Sequence, residues 1–489
     1  MRRMTTAALL CAAAAQSGCA AFVGYAPAPA ARPMPAALRA RAAPSDARLA
    51  LNGTQGAGGL TLHETRSISL AAVVARARDD AYAVLEAAAE VDAASARVQS
   101  AAGTLFPSAT IEAGGDYLHG RQVGSFGEVR DDLSFGRFEP SVGIFYRVNP
   151  GAEIGSTAQA RHEADATALS AEDARRTAAL QAAIGYFDIM LAYASVQIAS
   201  ELVQDSERFV GIAQARAQAE IGSGADVSRA EADAARAKQA LIHARGRWEI
   251  ASVRLAVLLR WPANELLVPS EQELRTHALI DGSAGQGLAA EADRTRPDVR
   301  AARARVQAAD SRTSAAWWEL FGPELDAGVR ERVIGTAIDD LGPTTLAHAF
   351  VGWSFDFGEL GRLRSARANA RGAAIRAQAL RDRVRGEIAT ALSKVRAAEA
   401  ALPEARRAAA ATERSYQTEL ARFQAGTGLG IEVIEAQNAR ARARQDLAAA
   451  ILRYNEAEVE LAASMGHLSD DVLPRATEPT GNARGRPAR

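Results

Sequence analysis

The longest regular pattern in the chain is a heptad repeat of apolar and alanine positions between Glu359 and Gln424. Residues that form helices readily fill this segment, and heptad spacing is typical of helices wound around neighbours. At 1.5 Å per residue such a helix would be about 100 Å long, which is too long for a compact globular domain. The repeated positions are Leu363, Ala366, Ala370, Ala373, Ala377, Leu380, Val384 and Ala391.

Two extended helical hairpins are predicted, because each long helical pattern ends at a glycine-rich turn and then resumes. One turn contains Gly222 and Gly224, and the other contains Gly426 and Gly428. Glycine tolerates the positive φ that tight turns require. The predicted helices run from about 151 to 220 and 226 to 259, and from about 359 to 424 and 431 to 465.

Four segments alternate apolar and polar residues with period two, which predicts strands with one apolar face. They span about 105–117, 138–149, 322–331 and 347–357, and the polar, glycine-rich stretch 118–137 predicts an exposed loop. Strands of about ten residues are long enough to cross a membrane when tilted. Open strand edges are not tolerated in lipid, so several copies would have to share one barrel, and three copies would supply 12 strands. A soluble four-stranded sheet packed on helices is the alternative.

The chain repeats itself with an offset of about 206 residues, since Asp226-Val227 corresponds to Glu432-Val433 and Gly155 corresponds to Gly361. The predicted fold class is therefore mainly α with a membrane β-barrel part, built from two tandem repeats of helix, strand, strand, long helix, turn and helix. The predicted domains are a signal segment at 1–19, a Pro/Ala-rich tether at 20–68, a first repeat at 69–262, a collar linker at 263–296, a second repeat at 297–468 and a disordered tail at 469–489.

The N-terminus has the features of an export signal, with Arg2 and Arg3 before a short, alanine-rich apolar segment. The sequence Ser-Gly-Cys-Ala that ends this segment predicts lipidation at Cys19. An ordinary signal cut after Ala28 is the alternative, and either interpretation takes the protein out of the cytoplasm. No stretch after the signal approaches 18 apolar residues, so no transmembrane helix is predicted.

Composition argues against several classes of function. The formal net charge is −1, so electrostatics does not indicate nucleic acid as a partner. The only cysteines are Cys11 and Cys19, which leaves no thiolate metal site in the body of the chain. The chain has no phosphate-binding loop, dinucleotide fingerprint or nucleophile elbow. The sequence therefore predicts no enzyme, no cofactor and no metal.

The ordered set of motifs resembles the TolC-like outer membrane factor family over roughly Ser69 to Leu468. The features that carry the resemblance are the two-fold repeat, the Leu-x-Pro strand starts, residues 353–358 leading into a helix, and residues 423–426 followed by 432–437. The N-terminal Cys19 and its tether resemble the lipidated branch. The resemblance implies a homotrimer with a 12-stranded barrel in the outer membrane and a helical tunnel across the periplasm.

The same resemblance implies an exit duct for tripartite efflux or type I secretion. The implied partners are a periplasmic adaptor, an inner-membrane transporter and outer membrane lipid. Two other classes of protein remain as alternatives: a periplasmic coiled-coil scaffold that transports nothing, and an adaptor lipoprotein. The four alternating strands argue against a scaffold, and two tandem hairpin units argue against an adaptor, which carries one.

Family resemblance also assigns the candidate sites. The family narrows its periplasmic entrance with acidic residues just after the second turn, and the matching positions are Glu432 and Glu435. Three copies would place six carboxylates around an axis, which would attract cations; ordinary exposed acids are the alternative. Glu220 occupies a position where the family usually has glycine, so the resemblance implies that Gly222 or Gly224 takes the place of that turn glycine. The predicted tip and adaptor contacts are Gly222, Gly224, Asp226, Arg229, Gly426 and Gly428, with Asp226 and Arg229 expected to link hairpins.

Overall fold

The computed structural model describes residues 64–123, 126–271, 274–276, 287–336 and 340–466. The predicted signal segment with Cys19, the predicted tail and the tether up to residue 63 lie outside these residues. The helices are α1 (Leu70–Asp80), α2 (Tyr82–Gly103), α3 (Pro150–Gln218), α4 (Gly224–Leu258), α5 (Leu288–Thr295), α6 (Pro297–Phe321), α7 (Phe357–Gln424) and α8 (Gly430–Met465). The strands are β1 (Glu64–Ile68), β2 (Ser108–Glu112), β3 (Gly115–Val123), β4 (Val129–Phe138), β5 (Ser141–Val148), β6 (Glu265–Pro269), β7 (Glu324–Ile334) and β8 (Gly342–Gly352).

Helix α7 is the long helix that the heptad pattern predicts. It has 68 residues, which corresponds to about 100 Å, and six of the predicted heptad positions are buried. The helix begins where the Asp356 side chain accepts a hydrogen bond from the Gly358 amide (2.8 Å), and it ends just before Gly426. The buried heptad residues are Leu363, Ala366, Ala373, Ala377, Val384 and Ala391.

Four strands, one near each predicted strand, form a single antiparallel sheet in the order β2-β5-β7-β8. Its two faces differ as the alternation predicts, because the register places Ile144 opposite Val329 and Arg147 opposite Asp326. The apolar face continues across β8 with Ala347 and Val351. Among the described strands, β2 and β8 are the edges of this sheet.

The predicted loop at 118–137 is wrong. Most of it belongs to β3 and β4, which pair as a hairpin and extend the β2–β5 pair. The pattern concealed these strands because charged residues interrupt both faces, including the face that carries Leu118, Leu133 and Phe135, and charges pair across the strands. Arg137 Nε, for example, lies 2.9 Å from Asp116 Oδ1.

The fourth predicted strand was placed too late in the sequence. It was expected at 347–357, but β8 ends at Gly352, opposite Glu324 at the start of β7. Residues after Gly352 have no partner residue in β7 because β7 begins at Glu324, and Asp356 instead caps α7. The alternation of Trp353, Phe355 and Phe357 therefore lies outside the strand.

The long helices form a slab with α3 in its interior. Toward the sheet, α3 packs between α2 and α6, and α6 packs on α7; toward the two turns, α3 packs between α4 and α8, and α8 packs on α7. Helices α2 and α4 therefore form one edge of the slab, and α7 forms the other along its whole length.

A large apolar core lies midway along the slab, where β1 and β6 pair in parallel beside α3 and α4. The last residues of the predicted tether are thus part of this core as β1. One 18-residue window of α3 is apolar enough by composition to cross a membrane, but half of that window is buried inside the chain. Tyr186 and Ile189, which are fully buried in this core, identify α3 as a core helix.

Candidate functional site: the paired turns of the two helical hairpins

The first turn (residues 219–223) joins α3 to α4, and the second turn (residues 425–429) joins α7 to α8. Their backbones follow the same course. Ile221 N donates to Arg216 O at 3.1 Å, and Thr427 N donates to Arg422 O at 3.0 Å. These residues are related by the 206-residue offset, so the sequence repeat reaches the ends of the hairpins.

Glu220 itself takes the left-handed conformation in the first turn, with φ of 60°, as Gly426 does in the second with φ of 84°. The expectation that Gly222 or Gly224 would take over this role is wrong. A left-handed conformation costs a residue with a Cβ roughly 1–2 kcal/mol. The first turn therefore carries strain that the second turn avoids.

Gly222 and Gly428 are required for close approach instead. A Cβ on Gly222 would lie 3.0 Å from Arg216 Cβ, and a Cβ on Gly428 would lie 3.0 Å from the Phe423 nitrogen. Gly224 has open space around it and is the first residue of α4, after the Ser223 side chain that accepts from Ala225 N (3.1 Å). Gly222 and Gly428 therefore let the backbone of each hairpin reverse direction within a few residues.

Arg216 ties the two hairpins together. Its Nη1 donates to Phe423 O at 2.6 Å and to Gln424 O at 3.4 Å, and its Nη2 donates to Ile221 O at 3.3 Å. Its guanidinium also lies 4.8 Å from the centre of the Phe423 ring. Carbonyls at a helix C-terminus have no partner within the helix and carry partial negative charge, so a cation is well placed there.

A small apolar core supports this contact. The rings of Phe209 and Phe423 lie 5.1 Å apart, and both side chains are buried in one cluster with Val433 and Ile434. The two hairpins therefore meet through packed side chains as well as through Arg216.

A buried polar cluster lies farther from the turns and contacts all four hairpin helices; it comprises Asp205, Ser206, Asp233, Gln437 and Arg440. Gln437 Nε2 donates to Ser206 Oγ at 2.6 Å, and Asn438 Nδ2 donates to Asp233 Oδ1 at 3.1 Å. Arg440 pairs with Asp205.

Arg440 also contacts α7 within this cluster. Its guanidinium lies 4.0 Å from the centre of the Tyr416 ring, and burial raises the pKa of Tyr416. Buried polar groups that lose their partners are costly, so the polar cluster sets the register between the two hairpins.

The two predicted gate acids have different environments. Glu432 Oε2 accepts a hydrogen bond from Leu429 N at 3.0 Å and lies 4.0 Å from Arg422 Nη1. It thereby caps the first turn of α8. Glu435 lies one turn farther on and is exposed. Three residues apart, both lie on one side of the helix, but only Glu435 has its carboxylate uncommitted to the helix end.

Asp226 and Arg229 pair with each other within α4, at 3.4 Å. Asp226 also lies against the second hairpin, because a Cβ on Gly430 would be 3.2 Å from Asp226 Oδ1. Within the described chain, the hydrogen bonds between the two turns come from Arg216 rather than from Asp226 or Arg229.

A sequence profile of the family described as Outer membrane efflux protein matches residues 73–259 and 288–467. The chain belongs to the outer membrane efflux protein family. This membership confirms the resemblance to TolC-like outer membrane factors. It identifies an efflux channel of the outer membrane that extends into the periplasm, and it favours a channel over the scaffold and adaptor alternatives.

Solved structures of outer membrane channels share the fold. The outer-membrane channel OprN is 22% identical, with a TM-score of 0.72 over 81% of this chain and 89% of that one. The CmeC channel of Campylobacter jejuni is 16% identical, with a TM-score of 0.70 over 81% of this chain and 85% of its own. The MtrE channel of Neisseria gonorrhoeae, solved in its open state, is 17% identical, with a TM-score of 0.69 over 88% and 97%. A comparison with curated protein sequences finds no match.

Sequence reasoning about this outer membrane efflux protein missed Arg216 and the polar cluster. A signal for Arg216 was present, since Arg216 and Arg422 are related by the repeat offset and each lies in the last turn of its helix. The polar cluster had no such signal. Its members are spread over three helices, and each alone resembles an ordinary exposed polar residue.

Proposed function

We propose that this efflux channel works as a homotrimer, with three four-stranded sheets closing one 12-stranded barrel and the helices forming a tunnel toward the pump. The observation that carries the proposal is the β2-β5-β7-β8 sheet, which has one apolar face and whose edge strands have no partner among the described residues. Unpaired edges cannot remain open in lipid, and identical copies would satisfy them. Helices α3 and α7, with 69 and 68 residues, would extend about 100 Å from the membrane.

The domain organisation follows from this assignment. The repeats at 69–262 and 297–468 each contribute two strands and one hairpin, and the segment 263–296 contributes to the collar around the tunnel. Lipidation at Cys19 would add an anchor in the same membrane.

The partners that fit this duct are a periplasmic adaptor at the two turns and an inner-membrane transporter beyond it. The described residues contain no nucleotide-binding motif, so the energy for transport would come from that transporter. The turn residues Gly222, Gly224, Asp226, Arg229, Gly426 and Gly428 would form the surface that meets the adaptor.

The gate of the duct would be an acidic ring made by Glu435 and Glu432 from three copies. Glu435 would supply most of the field at the axis because its carboxylate is exposed, while Glu432 is held at the helix end by Leu429 N. Rings of carboxylates attract cations and repel anions. The ring would therefore make the closed duct selective for cations.

Single-channel recording in planar bilayers tests this proposal, using the full chain extracted in detergent. We expect small, cation-selective currents from the wild type and a loss of selectivity in Glu435→Gln. Glu432→Gln keeps an acceptor for Leu429 N, so it should lower selectivity less. Glu404→Gln, farther along α7, is the matched control and should leave selectivity unchanged.

The other outcomes are equally informative. Large wild-type currents that neither gate variant alters would keep the channel but place its gate elsewhere. A soluble monomer or dimer that gives no current would contradict the proposed trimeric channel and would favour the alternative of a periplasmic scaffold.

A further inference from the structure

The two edges of the slab expose helix faces that pack against nothing in the described chain. On α2, the face turned away from α3 carries Ala89, Ala93 and Ala96, all exposed, together with Leu85, which is 41% exposed. On α7, the face turned away from α6 carries Ala368 and Ala379, both exposed, and Ile375, which is 68% exposed. Small and apolar residues at helical spacing allow close helix packing.

The charges on α2 and on the first part of α7 are opposite in sign. Helix α2 carries Glu86, Glu90 and Asp92 against a single cation, Arg97. Between Leu363 and Glu387, α7 carries seven arginines against two acidic residues. No described residue forms an ion pair with Glu86, Glu90, Asp92, Arg371, Arg376 or Arg383, and all six are exposed.

The two charged segments lie at the same height in the slab at the end nearer the sheet. There Thr157 Oγ1 of α3 donates to Ala101 O of α2 at 3.1 Å. A Cβ on nearby Gly155 of α3 would lie 2.9 Å from Ala315 of α6. The next residue of α6, Ala316, is buried in one cluster with Leu363 of α7. The end of α2 is therefore level with the beginning of α7.

The heights also agree at the other end of α2. Helix α2 runs antiparallel to α3 from the contact between Ala101 and Thr157, so the equal rise per residue places Val84 close to the height of Arg176 on α3. Arg176 of α3 and Arg296 donate to the adjacent carbonyls of Ala463 and Ser464, and Arg296 Nη1 also donates to Glu387 at 2.8 Å. The start of α2 is thus level with Glu387, and α2 spans the arginine-rich part of α7.

We propose that Glu86, Glu90 and Asp92 on α2 of one copy and Arg371, Arg376 and Arg383 on α7 of the next copy form a charge-complementary seam that selects identical copies during assembly. The proposal rests on the homotrimer proposed above and names the contact that would build it. A head-to-tail contact of this kind uses two different surfaces of each copy, and it closes into a ring when the rotation between copies is one third of a turn. The same operation brings β8 beside β2, because β2 follows α2 and β8 precedes α7.

Helical geometry indicates which charges would meet. Glu86 and Glu90 are four residues apart and share one side of α2, while Arg376 and Arg383 are seven apart and share one side of α7. Asp92 and Arg371 lie on the opposite sides of their helices. When the two exposed faces are placed together, Glu86 and Glu90 meet Arg376 and Arg383 on one surface of the slab. Asp92 meets Arg371 on the opposite surface, and the alanines and Ile375 lie between the two groups of charges.

Charge reversal in the full chain tests the seam. The triple variant Arg371→Glu/Arg376→Glu/Arg383→Glu should lower the trimer-to-monomer ratio in detergent by about tenfold or more, because like charges would then face each other. Combining it with Glu86→Arg/Glu90→Arg/Asp92→Arg should restore the trimer. The matched control, Arg161→Glu/Arg175→Glu/Arg453→Glu, makes the same charge change at exposed positions of α3 and α8, which are not edge helices of the slab, and should keep the wild-type ratio.

Co-expression tests selection directly. Wild type and the six-fold variant, carrying different tags, should form separate trimers, since every mixed ring would contain a like-charged contact. Mixed trimers in statistical proportion, or no effect of the triple variant, would overturn the seam while leaving the trimer in place. A wild type that forms no trimer would instead overturn the proposed function, so the two failures are distinguishable. A triple variant that is also monomeric in the six-fold combination, with unchanged helix content, would likewise overturn the seam.

Discussion

Arg216 Nη1 donates to the carbonyl of Phe423 at 2.6 Å, so the end of the first hairpin holds the end of the second. Its counterpart in the repeat, Arg422, lies 2.8 Å from Glu419 and 4.0 Å from Glu432, both in its own hairpin. Equivalent positions in the repeat thus have different functions. One crosses between hairpins, and the other stays within its hairpin.

This difference predicts unequal effects of removing the two arginines. Arg216→Ala should weaken the tie between hairpins by about 1.5–3 kcal/mol, the range for hydrogen bonds from charged groups, and should raise amide exchange in both turns. Hydrogen–deuterium exchange resolved to peptides would measure this. Arg422→Ala is the control and should raise exchange in the second turn alone. Equal effects on both turns from the two variants would contradict the assignment.

The buried pair of Asp205 and Arg440 predicts a strongly non-additive mutant cycle. Removing either partner leaves the other in a largely buried site with only its second partner, Arg208 for Asp205 (3.2 Å) and Glu413 for Arg440 (3.6 Å). We therefore expect each single removal to cost about 1–3 kcal/mol. The double variant Asp205→Leu/Arg440→Met should therefore be more stable than Asp205→Leu alone. Thermal unfolding followed by far-ultraviolet circular dichroism in detergent would measure this. Strictly additive losses would show that the pair contributes no coupling.

The positive φ of Glu220 predicts a stabilising substitution. Glu220→Gly should raise the unfolding temperature, because glycine removes a left-handed strain worth roughly 1–2 kcal/mol at little steric cost. Glu220→Val should lower it, since a β-branched side chain tolerates this conformation least. Gly426→Ala provides the mirror experiment in the second turn and should be destabilising. The prediction fails if Glu220→Gly is no more stable than Glu220→Ala.

Gly155 and Gly361 correspond in the repeat and yet predict opposite responses to alanine. A Cβ on Gly155 would lie 2.9 Å from the backbone of Ala315, so Gly155→Ala should force α3 and α6 apart and cost about 1–3 kcal/mol. A Cβ on Gly361 would meet nothing within 4 Å. Gly361→Ala should therefore be neutral or slightly stabilising, because alanine favours helix by about 1 kcal/mol over glycine. The same thermal measurement distinguishes them, and a neutral Gly155→Ala would refute the close contact.

Sequence alone determined the long helices, the two-fold repeat, the alternating strands and the family. Each of these follows from a local period: the heptad of α7 buries Leu363 and Val384, and the alternation in β5 separates Ile144 from Arg147. Such periods depend only on residues that are close together in the sequence, so they can be recognised without knowing which distant residues are in contact. The β3–β4 hairpin was missed because charged residues interrupt the apolar positions on both of its faces.

Tertiary structure alone decided what the repeated positions do. The identical offset relates Arg216 to Arg422, Glu220 to Gly426 and Gly155 to Gly361, yet the members of each pair have different neighbours. The polar cluster of Asp205, Ser206, Asp233, Gln437 and Arg440 exists because helices far apart in sequence bring its members together. Sequence periodicity specifies which face of a helix is buried, whereas the partner that buries it, and therefore the energy of each contact, is set by how the helices pack.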